Sequence, residues 1–212
     1  MTRDTLSAET SSRTRLCVSR RQLAPLLCGV AALMSMRQAA GAQALPPDFR
    51  TSRSQFTMLR PEGDVSSARL KRLDGSMQSL SAYRGKSLLI ALWASWCPPC
   101  RRELPILARL QQNQRSEPFD IIPVSLDRNP TTAVQFIEKL GLKNFKTFFD
   151  PDGTLVSGPD SPQRAPFLLY GMPMAYVVTR HGASAGYLIG EADWSSKAGI
   201  DLLRYHGRAN RT

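Results

Sequence analysis

The sequence predicts an α/β domain: a mixed β-sheet flanked by helices on both faces, with an N-terminal β-hairpin. Three observations carry this. Leu88–Trp93 is a continuous apolar run, as in a strand buried on both faces, and Phe119–Leu126 reads as a second buried strand. Each is followed by a segment of helical period with its own start or stop signal. Two-residue turn signals, Asp74-Gly75 and His181-Gly182, join short strand-like segments.

The elements follow in order. Ala68–Leu73 and Ser76–Leu80 flank Asp74-Gly75 and read as the hairpin. Leu88–Trp93 is the first buried strand, and Trp96–Pro99 is the loop after it. A helix runs to about Gln114, with Leu104, Leu107 and Leu110 on one face. Phe119–Leu126 is the second buried strand. Asn129 and Pro130 open a helix that reaches about Leu140 and stops at Gly141. Phe148–Val156 contains the turn Asp150-Pro151-Asp152-Gly153, and residues 157–166 read as loop. Met174–Thr179 and Gly186–Ile189 are strands joined through His181-Gly182, and a helix from Ser195 to about Tyr205 completes the pattern.

Composition narrows the classes. With 42% hydrophobic and 21% charged residues, the chain is not wholly disordered, collagenous or coiled-coil. The one long apolar stretch lies near the N-terminus, which excludes a polytopic membrane protein. The net charge of +11 is spread out: residues 1–44 hold six Arg and two acids, and the remainder has no dense basic run. That distribution describes a soluble basic surface, not a nucleic-acid binder.

Residues 1–44 read as an export signal. A polar, Arg-bearing stretch ends at Arg21, an apolar stretch runs from Leu23 to Met36, and small residues follow. The apolar stretch spans about 21 Å as a helix, short of the roughly 30 Å hydrocarbon core. Ala42-Gln43-Ala44 fits a cleavage site that would start the mature chain at Leu45. An uncleaved membrane anchor is the alternative. Ser19-Arg20-Arg21-Gln22-Leu23 resembles a twin-arginine signal, and an ordinary Sec signal also fits. Either route places the protein in the periplasm. Residues 45–66, polar and holding Pro46, Pro47 and Pro61, read as a tether, and residues 67–212 as the domain.

Of the four cysteines, Cys17 and Cys28 fall in the signal, so the mature chain keeps Cys97 and Cys100. Two thiols three residues apart restrict an unfolded chain far less than a long crosslink does, so the pair reads as chemistry. Trp96-Cys97-Pro98-Pro99-Cys100 stands where a buried strand meets a helix. Cys97, at the exposed helix N-terminus, faces the positive end of the helix dipole and becomes the attacking thiolate. Cys100 lies deeper and resolves the mixed disulfide. Pro98 and Pro99 have no N–H, so amide donors to Cys97 begin at Cys100. Fewer donors favour a reductant, while Arg101 and Arg102 act in the opposite direction. A zinc half-site completed by His181 and His206, and a transient copper site on the two thiolates, are the metal alternatives.

The run Gly85-Lys86-Ser87 through Trp96-Cys97-Pro98-Pro99-Cys100-Arg101-Arg102-Glu103-Leu104-Pro105 resembles the TlpA-like thioredoxins. Val124-Ser125-Leu126-Asp127, Asp150-Pro151-Asp152-Gly153 and Gly171-Met172-Pro173 extend the resemblance over residues 66–206. It implies a thioredoxin-like domain and an exported thiol-disulfide oxidoreductase without a bound cofactor. Such a protein reduces disulfides in exported proteins, as in cytochrome c or copper-site maturation, and is regenerated by a membrane thiol donor. A copper-carrying assembly module using the same thiolates is the rival reading. The resemblance makes Pro173 a cis-proline that presents the Met172 backbone to a partner, with Trp96 an apolar platform beside Cys97. Two departures stand out. Ala91 occupies the position of the family's buried acid, so Asp127 and Glu103 become the candidate proton acceptors. The 157–166 loop is long, and its closeness to Pro173 suggests partner selection.

Overall fold

A computed structural model describes residues 45–60, 63–162 and 164–209; the signal features expected in residues 1–44 lie outside the described residues. The elements are β1 (Thr57–Met58), β2 (Arg69–Lys71), β3 (Met77–Ser79), β4 (Ser87–Trp93), α1 (Pro98–Asn113), β5 (Phe119–Ser125), α2 (Pro130–Lys139), β6 (Phe148–Phe149), β7 (Val156–Ser157), β8 (Phe167–Leu168), β9 (Met174–Val178), β10 (Ser184–Ile189) and α3 (Lys197–Arg208). Among the described residues, eight strands form one sheet in the order β1-β10-β9-β4-β5-β6-β2-β3. The two expected buried strands lie at its centre: β4 pairs with β5 in parallel and with β9 antiparallel. Every residue of β4 is buried.

Strand alternation sorts the core into two faces. Leu89 and Ala91 of β4, Phe119 and Ile121 of β5, and Ala175 and Val177 of β9 meet Leu107 of α1 and Leu202 and Leu203 of α3. Trp93, at the end of β4, continues this face toward Leu104 of α1 and Ala133 and Ile137 of α2. On the other face, Leu88, Ile90, Leu92, Ile122, Val124 and Tyr176 meet Leu70, Leu80, Leu155 and Phe167. The helical cover expected on both faces is therefore unequal. Three α-helices lie on one side; a 3-10 turn (Leu80–Tyr83), the hairpin and the 150–169 segment lie on the other. Each fully buried Leu, Ile or Val side chain contributes about 1.5–3 kcal/mol.

The hairpin forms as expected, with Gly75 at φ 81° in its turn and β2 and β3 paired antiparallel. The tether does not. Phe49 and Phe56 are buried in the helical-side core, Phe49 against Trp194 with ring centroids 4.8 Å apart, and β1 adds an edge strand to β10. Prolines and polar residues gave this segment its tether-like look, yet two aromatics are enough to anchor it. Gly186 of β10 makes the approach possible, because a Cβ there would strike the Phe56 ring and the Thr57 carbonyl.

The 157–166 loop hangs between β7 and β8, a parallel pair separate from the main sheet. Its base is firm. The buried Asp150 carboxylate accepts the N–H groups of Thr154, Leu155 and Val156, and Tyr176 Oη donates to the Leu168 carbonyl at 2.6 Å. Burial pushes the Tyr176 hydroxyl up to about 12, so it remains a donor.

Helix α3 approaches the sheet at Gly207, where an added Cβ would collide with the backbone carbonyl of Pro118, just before β5. Gly207→Ala should therefore cost about 1–3 kcal/mol, the usual range for forced overpacking, and lower the urea midpoint without changing the denaturant slope.

Candidate active site

β4 delivers the chain to the site and β5 fixes the loop that follows. Leu126 N–H donates to the Trp93 carbonyl at 2.9 Å. Asp127, just past β5, accepts from Ser95 N–H at 3.0 Å, Ser95 Oγ at 2.7 Å and Ser125 Oγ at 2.8 Å. Its carboxylate is thus occupied in holding Ser95 in place.

Cys97 is the N-cap of α1, with extended backbone angles, and Pro98 and Pro99 occupy the first helical turn, where a missing N–H costs nothing. The first amide able to reach Cys97 is that of Cys100, which donates to Cys97 Sγ at 3.3 Å, as the two prolines dictate. Cys97 and Cys100 form a disulfide, their Cα atoms 5.4 Å apart.

Cys97 was expected at an exposed helix start, but it is 3% exposed and Cys100 is 1% exposed. The disulfide turns the Cys97 sulfur inward onto a cluster with Trp93, Ala94, Leu104 and Ala133, against which Met172 packs. What is exposed is the rim: Trp96 shows 64% of its surface, and Pro98 is exposed. The Met172–Pro173 bond is cis. Gly190 N–H ties the Pro173 carbonyl at 2.8 Å.

The two arginines after Cys100 do not face the sulfur as free charges. The Arg101 guanidinium lies over the Phe136 ring, 5.4 Å from its centroid, and Arg102 makes a two-pronged ion pair with Glu191. Their opposition to the proline effect is correspondingly reduced. Pro98→His, which restores an N–H and adds an imidazole at the helix start, should make the couple more oxidising by about 30 mV or more, with a tenfold change in K corresponding to about 29.6 mV. The equilibrium constant with glutathione measures this.

Of the two proton-acceptor candidates, Glu103 is the one whose ionisation is strongly shifted. It is 4% exposed and accepts the Trp194 indole N–H at 3.0 Å. Desolvation pushes its carboxyl up to about 8, against hydrogen bonds from the Ala192 backbone and Trp194 that favour the ionised form. A carboxyl titrating near neutrality, three residues beyond Cys100, can exchange a proton at working pH. Sequence reading missed Trp194 and Glu191 as neighbours of the site. They lie about ninety residues from α1, and no local spacing signals that contact.

A central strand running into a helix whose first turn bears a Cys-x-x-Cys disulfide, with a cis-proline loop at the same end of the sheet, defines the thioredoxin-like class. The chain belongs to the Redoxin family, whose model matches residues 39–178, in keeping with the TlpA-like resemblance. It is 28% identical over 101 residues to the thiol-disulfide oxidoreductase ResA of Bacillus subtilis, covering 47% of this chain and 56% of that protein. It is 33% identical over 73 residues to ResA of Geobacillus kaustophilus, covering 34% and 42%. The chain thus spans about half the length of the curated relatives it matches. A thiol:disulfide interchange protein of the thioredoxin family from Chlorobium tepidum shares the fold, with TM-score 0.55 and 19% identity over 70% of this chain and 99% of that one.

Proposed function

We propose that this protein is a thiol-disulfide oxidoreductase that reduces disulfides in exported proteins. The observation that carries the reading is the Cys97–Cys100 disulfide on the first turn of α1, at the end of the sheet that bears the cis Met172–Pro173 bond and rimmed by the exposed Trp96. The names of the ResA relatives support it.

In the dithiol form, Cys97 attacks a partner disulfide and forms a mixed disulfide, releasing one partner sulfur. Cys100 then attacks Cys97, closes the intramolecular bond and releases the second partner sulfur. Two electrons pass to the partner. The Cys100 proton goes to a base, for which Glu103 is a candidate above about pH 8, where its carboxyl is ionised. Trp96, Pro98, Pro99 and Met172 form the surface on which the partner lies, shaped by the buried cis-proline Pro173. A membrane thiol donor returns the oxidised protein to the dithiol state, and the work takes place in the periplasm, on cytochrome c or copper-site precursors.

The leader of residues 1–44 supports export, whether cleaved or kept as an anchor. Among the described residues, no helix is long and apolar enough to cross a membrane. The test is exchange of the reduced protein with a set of disulfide-bearing exported proteins, alongside titration of the same protein with copper(I). Rapid, Cys97-dependent reduction supports the reading. Tight stoichiometric copper binding without reduction would replace it with a copper carrier.

A further inference from the structure

The site gathers the sulfurs of Cys97, Cys100 and Met172. Cys97 and Cys100 are paired in the disulfide and buried, whereas Met172 is only partly buried and packs against the cluster that holds them. The other described methionines are placed differently. Met174, at the start of β9, is 1% exposed, and Met58 and Met77 are exposed on β1 and β3, the edge strands of the sheet. Met172 therefore combines properties that no other described methionine has. Its side chain is open to solvent, and it packs on the cluster around the reactive sulfur. Its backbone is held on both sides. A Cβ on Gly171 would lie 3.0 Å from Ile189 Cγ2, and Gly190 N–H ties the Pro173 carbonyl at 2.8 Å.

We propose that Met172 is an oxidation site through which hydrogen peroxide slows the thiol chemistry. The assignment rests on the oxidoreductase reading above. While the disulfide is closed, both cysteine sulfurs are paired and buried, and the thioether is the sulfur of the site that an oxidant reaches. The Met172 sulfur attacks a peroxide oxygen, and the S–O bond forms as the O–O bond breaks. The sulfur gives up two electrons, and the peroxide is reduced to water. Methionine sulfoxide is polar where the thioether was apolar. Because the flanking backbone is held, only the side chain can respond. Turned inward, the new oxygen lies against Trp93, Ala94, Leu104 and Ala133 without a partner, since the cluster's only side-chain N–H, Trp93 Nε1, already donates to Thr147 at 3.1 Å. Turned outward, it stands hydrated on the surface where the partner lies and must lose that water before the partner can dock. Either placement raises the barrier to the mixed disulfide. Methionine sulfoxide reductases, one for each epimer, reverse the step.

The test treats the disulfide form, so that the oxidant meets no thiol in the described domain. Hydrogen peroxide is added and removed, and the sulfoxides are located by peptide mass mapping. The protein is then reduced with a dithiol and assayed on a short peptide closed by a disulfide. Met172 should gain oxygen alongside Met58 and Met77 and well before Met174. Peptide reduction should slow by about tenfold once Met172 is fully converted, and the two sulfoxide reductases together should restore it. Met172→Leu, whatever its starting rate, should lose none of it under the same treatment, whereas M58L/M77L should lose as large a fraction as the parent. A Met172 oxidised no faster than Met174 overturns the assignment. So does an unchanged rate in protein carrying Met172 sulfoxide, or an equal loss in M172L. A protein that reduces no disulfide before treatment brings down the oxidoreductase reading and the proposed regulation with it; a protein active before treatment and indifferent to Met172 sulfoxide brings down the regulation alone.

Discussion

Cys100→Ser should convert the protein into a trap. Cys97, still able to attack, forms the mixed disulfide with a partner, but the hydroxyl that replaces the resolving thiol cannot displace it. The adduct should accumulate to near stoichiometric yield, appear as a mass equal to the sum of the two chains, and vanish on treatment with excess dithiol. Cys97→Ser should lower disulfide reduction on the order of a thousandfold or more, because a serine hydroxyl is not ionised at neutral pH and no covalent intermediate can form. The asymmetry between the variants is informative. Both cysteines are buried, and what separates them is position: Cys97 is the N-cap, where the helix dipole and the Cys100 N–H favour its thiolate, whereas Cys100 lies inside the first turn. Equal adduct yield from both variants would mean that the two sulfurs are interchangeable, and the assignment of attacking and resolving roles would fail.

A second large effect concerns stability against pH. In the unfolded chain, Glu103 loses its proton near its ordinary 4.5; in the folded protein, burial pushes it up to about 8. Between these values the unfolded state is ionised while the folded state keeps the proton. Folding takes up a proton there, so raising the pH opposes it. The Glu103 contribution should fall by about 1.4 kcal/mol per pH unit from about pH 4.5 to about pH 8, then level off. By pH 7 the loss is on the order of 3 kcal/mol. Glu103→Gln removes the ionisation and keeps an oxygen for the indole N–H. The variant should match the parent near pH 4.5 and exceed it at pH 7 to 8, while its exchange rate falls. Urea midpoints of the two oxidised proteins across pH 4 to 9 give the difference curve directly, and other titrating groups cancel in it. Parallel curves would show that Glu103 does not carry the proton.

The central elements were legible because their signals are local. Leu88–Trp93 is apolar throughout, and Phe119–Leu126 is apolar except at Asp120 and Ser125. The Asn129 side chain accepts the Thr131 N–H and starts α2, as its position before Pro130 suggests. The Cys-Pro-Pro-Cys spacing sets both the closure of the disulfide and the identity of the amide nearest Cys97, since neither depends on distant chain. The tether reading failed for the opposite reason. Phe49 and Phe56 look like isolated aromatics among polar residues, and only the β10 edge and Trp194 give them a place to go. Exposure of Cys97 was misjudged because it depends on what covers the helix end, and Met172, from a segment 75 residues later, helps to cover it.

The protonation chemistry of the site divides along the same line. The linear chain determined that two sulfurs meet at a strand-to-helix junction, because that requires only backbone geometry over four residues. It also placed Asp127 and Glu103 nearby in sequence order. What surrounds each carboxylate was decided by tertiary structure: three short-range donors hold Asp127, whereas burial pushes Glu103 up to about 8 against the opposing bond from an indole beyond β10. Desolvation and hydrogen bonding act through space, so a group's ionisation is set by neighbours that its own stretch of sequence does not contain.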